Sequence, residues 1–301
     1  MSAATFTNNE KSTSTTVGYA GALVTVLIWA TWILATRHSA TTQLGTIDIG
    51  LIRYGIPALA LAPVWLKTGL LPKSVPIALL VTMVAGAGAV FFQLTTSAIH
   101  STPASAAGIL LGGSMPLATA LIGVIGFQER PDVMRVFGLA AIVAGVAILL
   151  VRSLAGASLP GSSFVLLPMA AVLWASYTHA FRRSGLTAVQ ASALIAVWSF
   201  LIHIVLAIVF GTSIASVPLG EIGLQVLSQG LLSGLAATVA YGLAVHALGG
   251  TQAAAFTAIT PVLATIGGGM LLGEEIGIAE IAAAIITGLG VALSTGIASR
   301  R

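Results

Sequence analysis

Two prolines, Pro116 and Pro261, lie inside long apolar stretches and could create binding groups there. Proline has no amide hydrogen, so the carbonyl four residues earlier loses its partner in a helix. The sequence therefore predicts helix breaks with unpaired carbonyl oxygens at Gly112 and Thr257. Such acceptors suit an ammonium group or the waters that accompany it.

Hydroxyl groups accompany both prolines. Ser114 stands two residues before Pro116, and Thr260 stands directly before Pro261. Two interpretations are open. These groups bind a substrate near the middle of the membrane, or the prolines only kink their helices and neighbouring groups satisfy the carbonyls, as membrane helices commonly tolerate.

Aromatic residues make up only 6% of the chain, and four are candidates for contact with a substrate. Trp29 lies just outward of the middle of the first predicted span, and Trp174 just inward of the middle of the sixth. This predicts an outer and an inner gate. Tyr177 and Tyr241 lie on the inward halves of spans 6 and 8. Stacking with an aromatic substrate would contribute about 0.5–1.5 kcal/mol; the alternative is helix packing or interfacial anchoring.

These residues belong to a duplicated sequence. Residues 105–129 return as residues 250–274, an offset of 145 that matches positions both inside and outside this stretch. The matched positions are Trp29 with Trp174, Ala30 with Ala175, Arg37 with Arg182, Glu129 with Glu274, and Gly145 with Gly290. Each copy has a proline-centred apolar segment of about the length that crosses a bilayer. The chain is therefore two copies of one unit.

The composition predicts an all-α integral membrane protein. Charged residues are 7% of the chain, apolar residues 57%, and the mean hydropathy is +1.05, whereas about 25% of a soluble domain is charged. Twelve basic residues scattered between apolar segments set topology, so no nucleic acid partner is expected. With no cysteine, the chain has no disulfide, thiolate metal site or cysteine nucleophile. We expect no cofactor and no metal.

The hydropathy pattern predicts ten transmembrane helices in two five-helix repeats. Residues 1–16 are polar and are expected to form a disordered cytoplasmic tail. The first repeat covers residues 17–151 and the second residues 163–297. The predicted spans are 17–36, 47–66, 76–98, 104–126, 132–151, 163–181, 187–210, 221–246, 252–272 and 277–297.

Basic residues predict the orientation. With the N-terminus in the cytoplasm, nine Lys and Arg residues lie inside and two outside, as the positive-inside rule requires. Both termini are then cytoplasmic. Five spans per repeat is an odd number, so the second repeat is inverted relative to the first, which is a recurrent plan of secondary transporters.

The paired Trp-Ala, the proline-centred fourth helix of each unit and the glycine-bearing fifth helix resemble the EamA family of the drug/metabolite transporter superfamily. Within it, the chain looks most similar to bacterial inner-membrane exporters of aromatic amino acids. The resemblance implies a central cavity lined mainly by helices 1, 3, 4, 6, 8 and 9. It places Gln93 and Thr238 on cavity helices, where hydrogen bonding between helices is the alternative. No lysine lies inside a span, so phosphorylated substrates are not expected.

The sequence favours a transporter over an enzyme or a passive channel. The chain has no Gly-x-Ser-Gly motif, no HExxH motif and no aspartate pair within spans, and an inverted repeat favours alternating access over a passive channel.

We therefore expect a monomeric exporter of small neutral metabolites, chiefly amino acids including aromatic ones. Its partners would be that small molecule and the lipid bilayer. No acidic residue lies near the middle of a span, which favours facilitated diffusion over a carboxylate proton relay. The alternative is an exporter of other small hydrophobic or cationic compounds, with or without proton coupling.

Overall fold

The computed structural model describes residues 3–128, 130–155, 159–248 and 250–295, and within them the fold is all-α. We number the helices in chain order and count a helix interrupted at one point as one. They are helix 1 (Ala3–Ser39), helix 2 (Thr46–Ala60 and Ala62–Thr68), helix 3 (Ile77–Ala87 and Ala89–Ser101), helix 4 (Ala104–Phe127), helix 5 (Val133–Leu154), helix 6 (Ser163–Ser184), helix 7 (Ala188–Phe210), helix 8 (Leu219–Gln225, Val226–Ala236 and Ala237–Leu248), helix 9 (Gly250–Phe256, Thr257–Ile259 and Thr260–Leu272) and helix 10 (Ile278–Ser294).

Eight of these helices, all but helices 2 and 10, are long and apolar enough to cross a membrane. Helix 2 joins them if its two parts, bent by 71°, form one span. Helix 10 is apolar but has 17 residues, the lower limit for a span. The chain is thus a multi-pass membrane protein, and the tenth span stays a prediction.

One predicted boundary differs clearly from the structure. The backbone is helical from Ala3, where the sequence predicts a disordered tail over residues 1–16. The apolar part of this helix, Thr15–Ser39, matches the first predicted span. Extending an existing helix adds one hydrogen bond for each residue that is fixed, so the polar residues continue the turn that the apolar segment has begun.

Helices 2, 3 and 8 are irregular, in addition to the 3₁₀ turn of helix 9. Helix 2 bends at Leu61, two residues before Pro63. Helix 3 breaks at Gly88, where a Cβ would lie 2.1 Å from Ser199 Oγ and 2.3 Å from the Val84 carbonyl oxygen. Helix 8 is π-helical over Val226–Ala236. Such widened turns are rare and frequently occur at functional sites.

Helix 4 forms the centre of the core. Its first half is almost wholly buried and packs within one apolar cluster with residues of helices 1, 3, 5, 6, 9 and 10. Small residues make this packing possible, because Gly108 approaches Ala264 of helix 9 so closely that an added Cβ would lie 2.7 Å from the Ala264 Cβ.

The helix contacts follow the duplication. In the duplication, helices 6 to 10 are the copies of helices 1 to 5 in the same order. Exchanging each helix for its copy turns the contact of helices 1 and 8 into that of helices 6 and 3, and the structure has both contacts. The contact of helices 1 and 9 likewise becomes that of helices 6 and 4. Helices 2 and 7, 4 and 9, and 5 and 10 contact their own copies, although the contact of 2 and 7 is made chiefly by the first part of helix 2.

Candidate substrate cavity

The two candidate gate tryptophans lie in separate aromatic groups. The Trp29 ring packs against Tyr241 with centroids 5.7 Å apart and joins helix 1 to helix 8. Trp174 packs against Phe91 at 5.3 Å and Tyr177 at 5.2 Å, joining helix 6 to helix 3. The two groups therefore sit on helix pairs that the duplication exchanges, with the matched tryptophans at equivalent places.

The candidate tyrosines are thus packed against the tryptophans. Tyr177 also stacks on Phe181 with centroids 6.1 Å apart. Trp29, Trp174, Tyr177 and Tyr241 are all partly exposed, so each presents ring surface that the neighbouring rings leave uncovered.

Pro116 and Pro261 affect their helices differently. Helix 4 continues through Pro116, so the helix break predicted at Gly112 is wrong. Helix 9 has a 3₁₀ turn over Thr257–Ile259, which ends two residues before Pro261. The Thr260 amide donates to the Thr257 carbonyl. The predicted free carbonyl at Thr257 is therefore wrong, because the tighter turn supplies the partner that the proline removes.

The two proline helices meet at this level. A Cβ on Gly112 of helix 4 would lie 3.4 Å from Pro261 Cγ, so Gly112 accommodates the proline ring. Ser114 and Thr260 are each 7% exposed, and the Thr260 hydroxyl has no hydrogen-bond partner among the described residues. The Thr257 hydroxyl donates to the Ala254 carbonyl at 2.7 Å. Thr260 is thus the available polar group on helix 9.

Gln93 joins helices, in line with the packing alternative. Its Nε2 lies 3.1 Å from the Thr46 carbonyl oxygen and 2.9 Å from His203 Nε2. His203 Nδ1 lies 2.7 Å from the Ser199 carbonyl oxygen, so Nδ1 must donate and Nε2 must accept from the amide. This arrangement is complete only with a neutral imidazole. His203 is therefore a packing residue of helices 2, 3 and 7. Thr238, the repeat partner of Gln93, is partly buried on helix 8.

Ionic contacts gather at the end of the bundle where helices 1, 3 and 5 end, which we call the predicted outer end. Arg37 Nε donates to Glu274 Oε1 at 2.9 Å, and the Ala104 amide donates to Glu274 Oε2 at 2.7 Å. Arg37 Nη1 also donates to the His100 carbonyl. Glu274 thus connects helices 1, 4 and 9. Helix 10 is capped by a different carboxylate, that of Glu280, which accepts from the Gly277 amide at 2.9 Å.

Two further ion pairs lie at the same end. His38 Nε2 is 3.0 Å from Glu221 Oε2, and Arg152 Nε is 3.3 Å from Glu280 Oε1. They join helix 1 to helix 8 and helix 5 to helix 10. Glu129, the repeat partner of Glu274, lies outside the described residues.

A polar group around Arg53 of helix 2 was not among the sequence-predicted sites. Its guanidinium carbon lies 5.3 Å from the Trp32 ring centroid, 5.4 Å from that of Phe92 and 5.9 Å from that of Tyr54. Arg53 Nη1 is 3.4 Å from Gln229 Oε1 in the π-helical part of helix 8. The signal was present in the sequence, since Arg53 is a charged residue inside an apolar span, and intramembrane charges mark functional sites by default.

Comparison with known proteins agrees with this architecture. The model of the EamA-like transporter family matches the chain twice, over residues 16–151 and 161–296. A solved structure described only as "Crystal structure of protein" is 23% identical and superposes with a TM-score of 0.64, covering 96% of this chain and 98% of that chain; it shows the fold alone. No curated protein matches the sequence.

Proposed function

Because the chain belongs to the EamA-like transporter family, with two family units over most of its length, we propose that it exports small neutral amino acids, including aromatic ones, by alternating access. The observation that carries this proposal is the exchange of helix contacts between the repeats, with Trp29 on the pair of helices 1 and 8 and Trp174 on the pair of helices 6 and 3.

The alternating mechanism follows from the repeat. If the second unit is inverted, a contact that closes one face has a counterpart at the other face. In this proposal the Arg37–Glu274 pair closes the predicted outer end. Arg182 and Glu129 are the repeat partners of these two residues at the offset of 145, and they would close the inner end in the same way. In this proposal the two closures form in turn, so that the substrate site faces one side at a time.

Aromatic and apolar groups dominate the proposed path. The partly exposed rings of Trp29, Tyr241, Trp174 and Tyr177 offer stacking surfaces, and the Thr260 hydroxyl offers a hydrogen bond. A neutral amino acid with an apolar side chain fits such a lining, because the side chain gains area burial and ring contact.

The proposed driving force is the substrate gradient. The carboxylates of Asp48, Glu221, Glu274 and Glu280 bind groups at helix ends, and His203 has both ring nitrogens engaged with the Ser199 carbonyl and the Gln93 amide. Neither arrangement provides a proton carrier at the middle of the bundle, which supports facilitated diffusion.

Liposomes preloaded with phenylalanine or leucine test this function. We expect efflux through the reconstituted protein without a pH gradient, and no accumulation of substrate when a pH step is imposed. Tyr241→Ala should slow phenylalanine efflux by about tenfold, since ring stacking and area burial together are worth about 1.4 kcal/mol or more. Leu271→Ala is the matched control, because Leu271 is 74% exposed on the outside of helix 9. Concentrative uptake driven by the pH step would contradict facilitation, and absence of efflux would contradict the function.

The proposed orientation has its own test. A reporter active only in the cytoplasm should be active when fused after Arg301, and one active only outside should be active in the loop of residues 152–162, since the charge distribution places these on opposite sides. If only one of the two reporters is active, both positions lie on the same side of the membrane and the inverted arrangement is refuted.

A further inference from the structure

We propose that Arg53 binds the carboxylate of the transported molecule. The inference rests on the proposed transport function and deepens it, because it names an anionic group that the substrate must carry. Helix 2 is not among the helices that the family resemblance places around the cavity, so the assignment adds a residue and a helix to the site.

The side chain of Arg53 is directed into the bundle. Besides Tyr54 of its own helix, the groups around its guanidinium are Trp32 of helix 1, Phe92 of helix 3 and Gln229 of helix 8. These three helices are all expected to line the central cavity. Phe92 is fully buried and Trp32 is 7% exposed, so Arg53 approaches the protein interior and not the surrounding lipid.

The charge of Arg53 has no opposite charge beside it. Among the described residues no carboxylate forms an ion pair with it. Asp48 is the acidic residue of the same helix, and its carboxylate accepts from the Gly45 amide at 2.9 Å and the Ser213 amide at 3.1 Å. A guanidinium has five N–H donors; the bond to Gln229 uses one, and the Tyr54 side chain lies close enough to accept from a second. An intramembrane cation of this kind is costly unless an anion or water accompanies it.

Helix 1 holds the Gln229 side chain of helix 8 in a fixed orientation. Gln229 Nε2 donates to Thr36 Oγ1 at 2.9 Å, and Thr36 Oγ1 donates to the Trp32 carbonyl at 2.7 Å. The Gln229 oxygen is therefore the atom that faces Arg53. The π-helical segment that contains Gln229 connects helix 8 to both helix 1 and helix 2, so a movement of helix 8 would change the surroundings of Arg53.

A second donor belongs to the indole ring whose centroid lies 5.3 Å from the guanidinium carbon. Trp32 Nε1 is buried and has no hydrogen-bond partner among the described residues. A buried donor without a partner costs about 1–3 kcal/mol. The guanidinium and the indole N–H together provide the pattern that suits a carboxylate, which accepts several hydrogen bonds and pairs well with the arginine fork. The rings of Trp32 and Phe92 would contact an apolar substrate side chain.

The phosphate of an anionic lipid has similar chemistry and could reach an arginine of the outer half. The two sources differ in size and in origin. A free monocarboxylate must enter through the cavity, whereas a lipid phosphate must approach from the membrane. Binding of phenylacetate to the full-length protein in lipid-free detergent, followed by the same titration with phosphatidylglycerol added, therefore separates them.

The decisive experiment compares phenylalanine with phenylalaninamide, which lacks the carboxylate. The wild-type protein should bind phenylacetate in detergent and should transport phenylalanine in preference to its amide. In Arg53→Gln the binding should be lost and the transport preference should fall by about tenfold or more, the range of a charge-assisted hydrogen bond. Arg53→Lys should retain part of both, because it keeps the charge without the fork.

Gln229→Glu keeps the test decisive if Arg53→Gln does not fold. The new carboxylate would lie beside Arg53 and take the place of the substrate anion. We expect this variant to unfold at a higher temperature than wild type and to lose phenylacetate binding.

Unchanged phenylacetate affinity in Arg53→Gln or Gln229→Glu, or binding of phosphatidylglycerol but not phenylacetate, would overturn the proposal. Wild-type transport with the same preference in both variants would refute the site and leave the transport function standing. If the wild-type protein transports neither compound, the transport function fails, and the phenylacetate titration still decides whether Arg53 binds a carboxylate.

Discussion

Replacing Gly138 with alanine is expected to prevent helices 5 and 10 from packing and to lower the thermal unfolding temperature of the purified protein sharply. A Cβ at Gly138 would lie 2.5 Å from the Ser294 amide nitrogen and 2.7 Å from the Gly290 carbonyl oxygen. These are backbone atoms, so no rotamer change can relieve the contact. The helices must move apart, which costs about 1–3 kcal/mol or more.

The reciprocal change is expected to behave in the same way. At Gly290 a Cβ would lie 2.7 Å from the Gly138 carbonyl oxygen and 2.8 Å from the Ile142 amide nitrogen. Because both changes act on one interface, the double variant should lose less stability than the sum of the two single variants.

Gly242→Ala is the control for this prediction. Gly242 also lies inside a helix, but nothing is within 4 Å of a Cβ added there. The change should be neutral or stabilise the protein by about 0.5–1 kcal/mol, the ordinary effect of replacing a helical glycine. If Gly138→Ala and Gly242→Ala unfold at the same temperature in detergent, the close contact of helices 5 and 10 is wrong.

Most of the fold was accessible from the sequence because bilayer thickness fixes the length of an apolar helix. The fourth predicted span, residues 104–126, is helix 4 (Ala104–Phe127), and the seventh, residues 187–210, is helix 7 (Ala188–Phe210). The sequence predicted an irregularity next to Pro261, where helix 9 has its 3₁₀ turn, but not the breaks in helices 2, 3 and 8. The 71° bend at Leu61 and the π-helical segment of helix 8 depend on which neighbour each turn packs against, and hydropathy carries no such information.

The parts of the candidate site that were predictable are the residues that the duplication pairs. The offset of 145 residues paired Trp29 with Trp174, and the structure places them on helix pairs that the duplication exchanges. Side-chain partners were not predictable in this way. Gln93 binds His203, and Glu274 binds Arg37, across separations in sequence that no local pattern reveals. Arg53 is recognisable in the sequence as a charge inside a span, but its neighbours Trp32 and Gln229 are known only from the structure.

Glu274→Gln is expected to open the predicted outer end to water. The carboxylate accepts from both Arg37 Nε and the Ala104 amide, and its side chain is only 14% exposed. An amide has one oxygen and cannot accept both bonds with the strength of a charged group. Hydrogen bonds to charged groups contribute about 1.5–3 kcal/mol, and 1.4 kcal/mol is a factor of ten. The open fraction should therefore rise by about tenfold.

The measurement uses a cysteine introduced at Ser114 of this cysteine-free chain. A membrane-impermeant thiol reagent added from the outer side should label it about tenfold faster in Glu274→Gln than in the parent. Arg37→Gln should give the same increase in labelling rate. The double variant should give no further increase, since each of the three variants removes the same Arg37–Glu274 ion pair.

Arg152→Gln is the matched control at the same end. The Arg152–Glu280 pair joins helices 5 and 10, which lie outside the expected cavity lining, and the Arg152 side chain is 49% exposed. An exposed pair contributes only about 0–1 kcal/mol, so labelling should change little. The inverted repeat adds a sharper condition, because Arg182→Gln should raise labelling from the inner side and lower it from the outer side. If Glu274→Gln leaves outer labelling unchanged, or if Arg37→Gln and Arg182→Gln shift it in the same direction, the pair does not close the transport path.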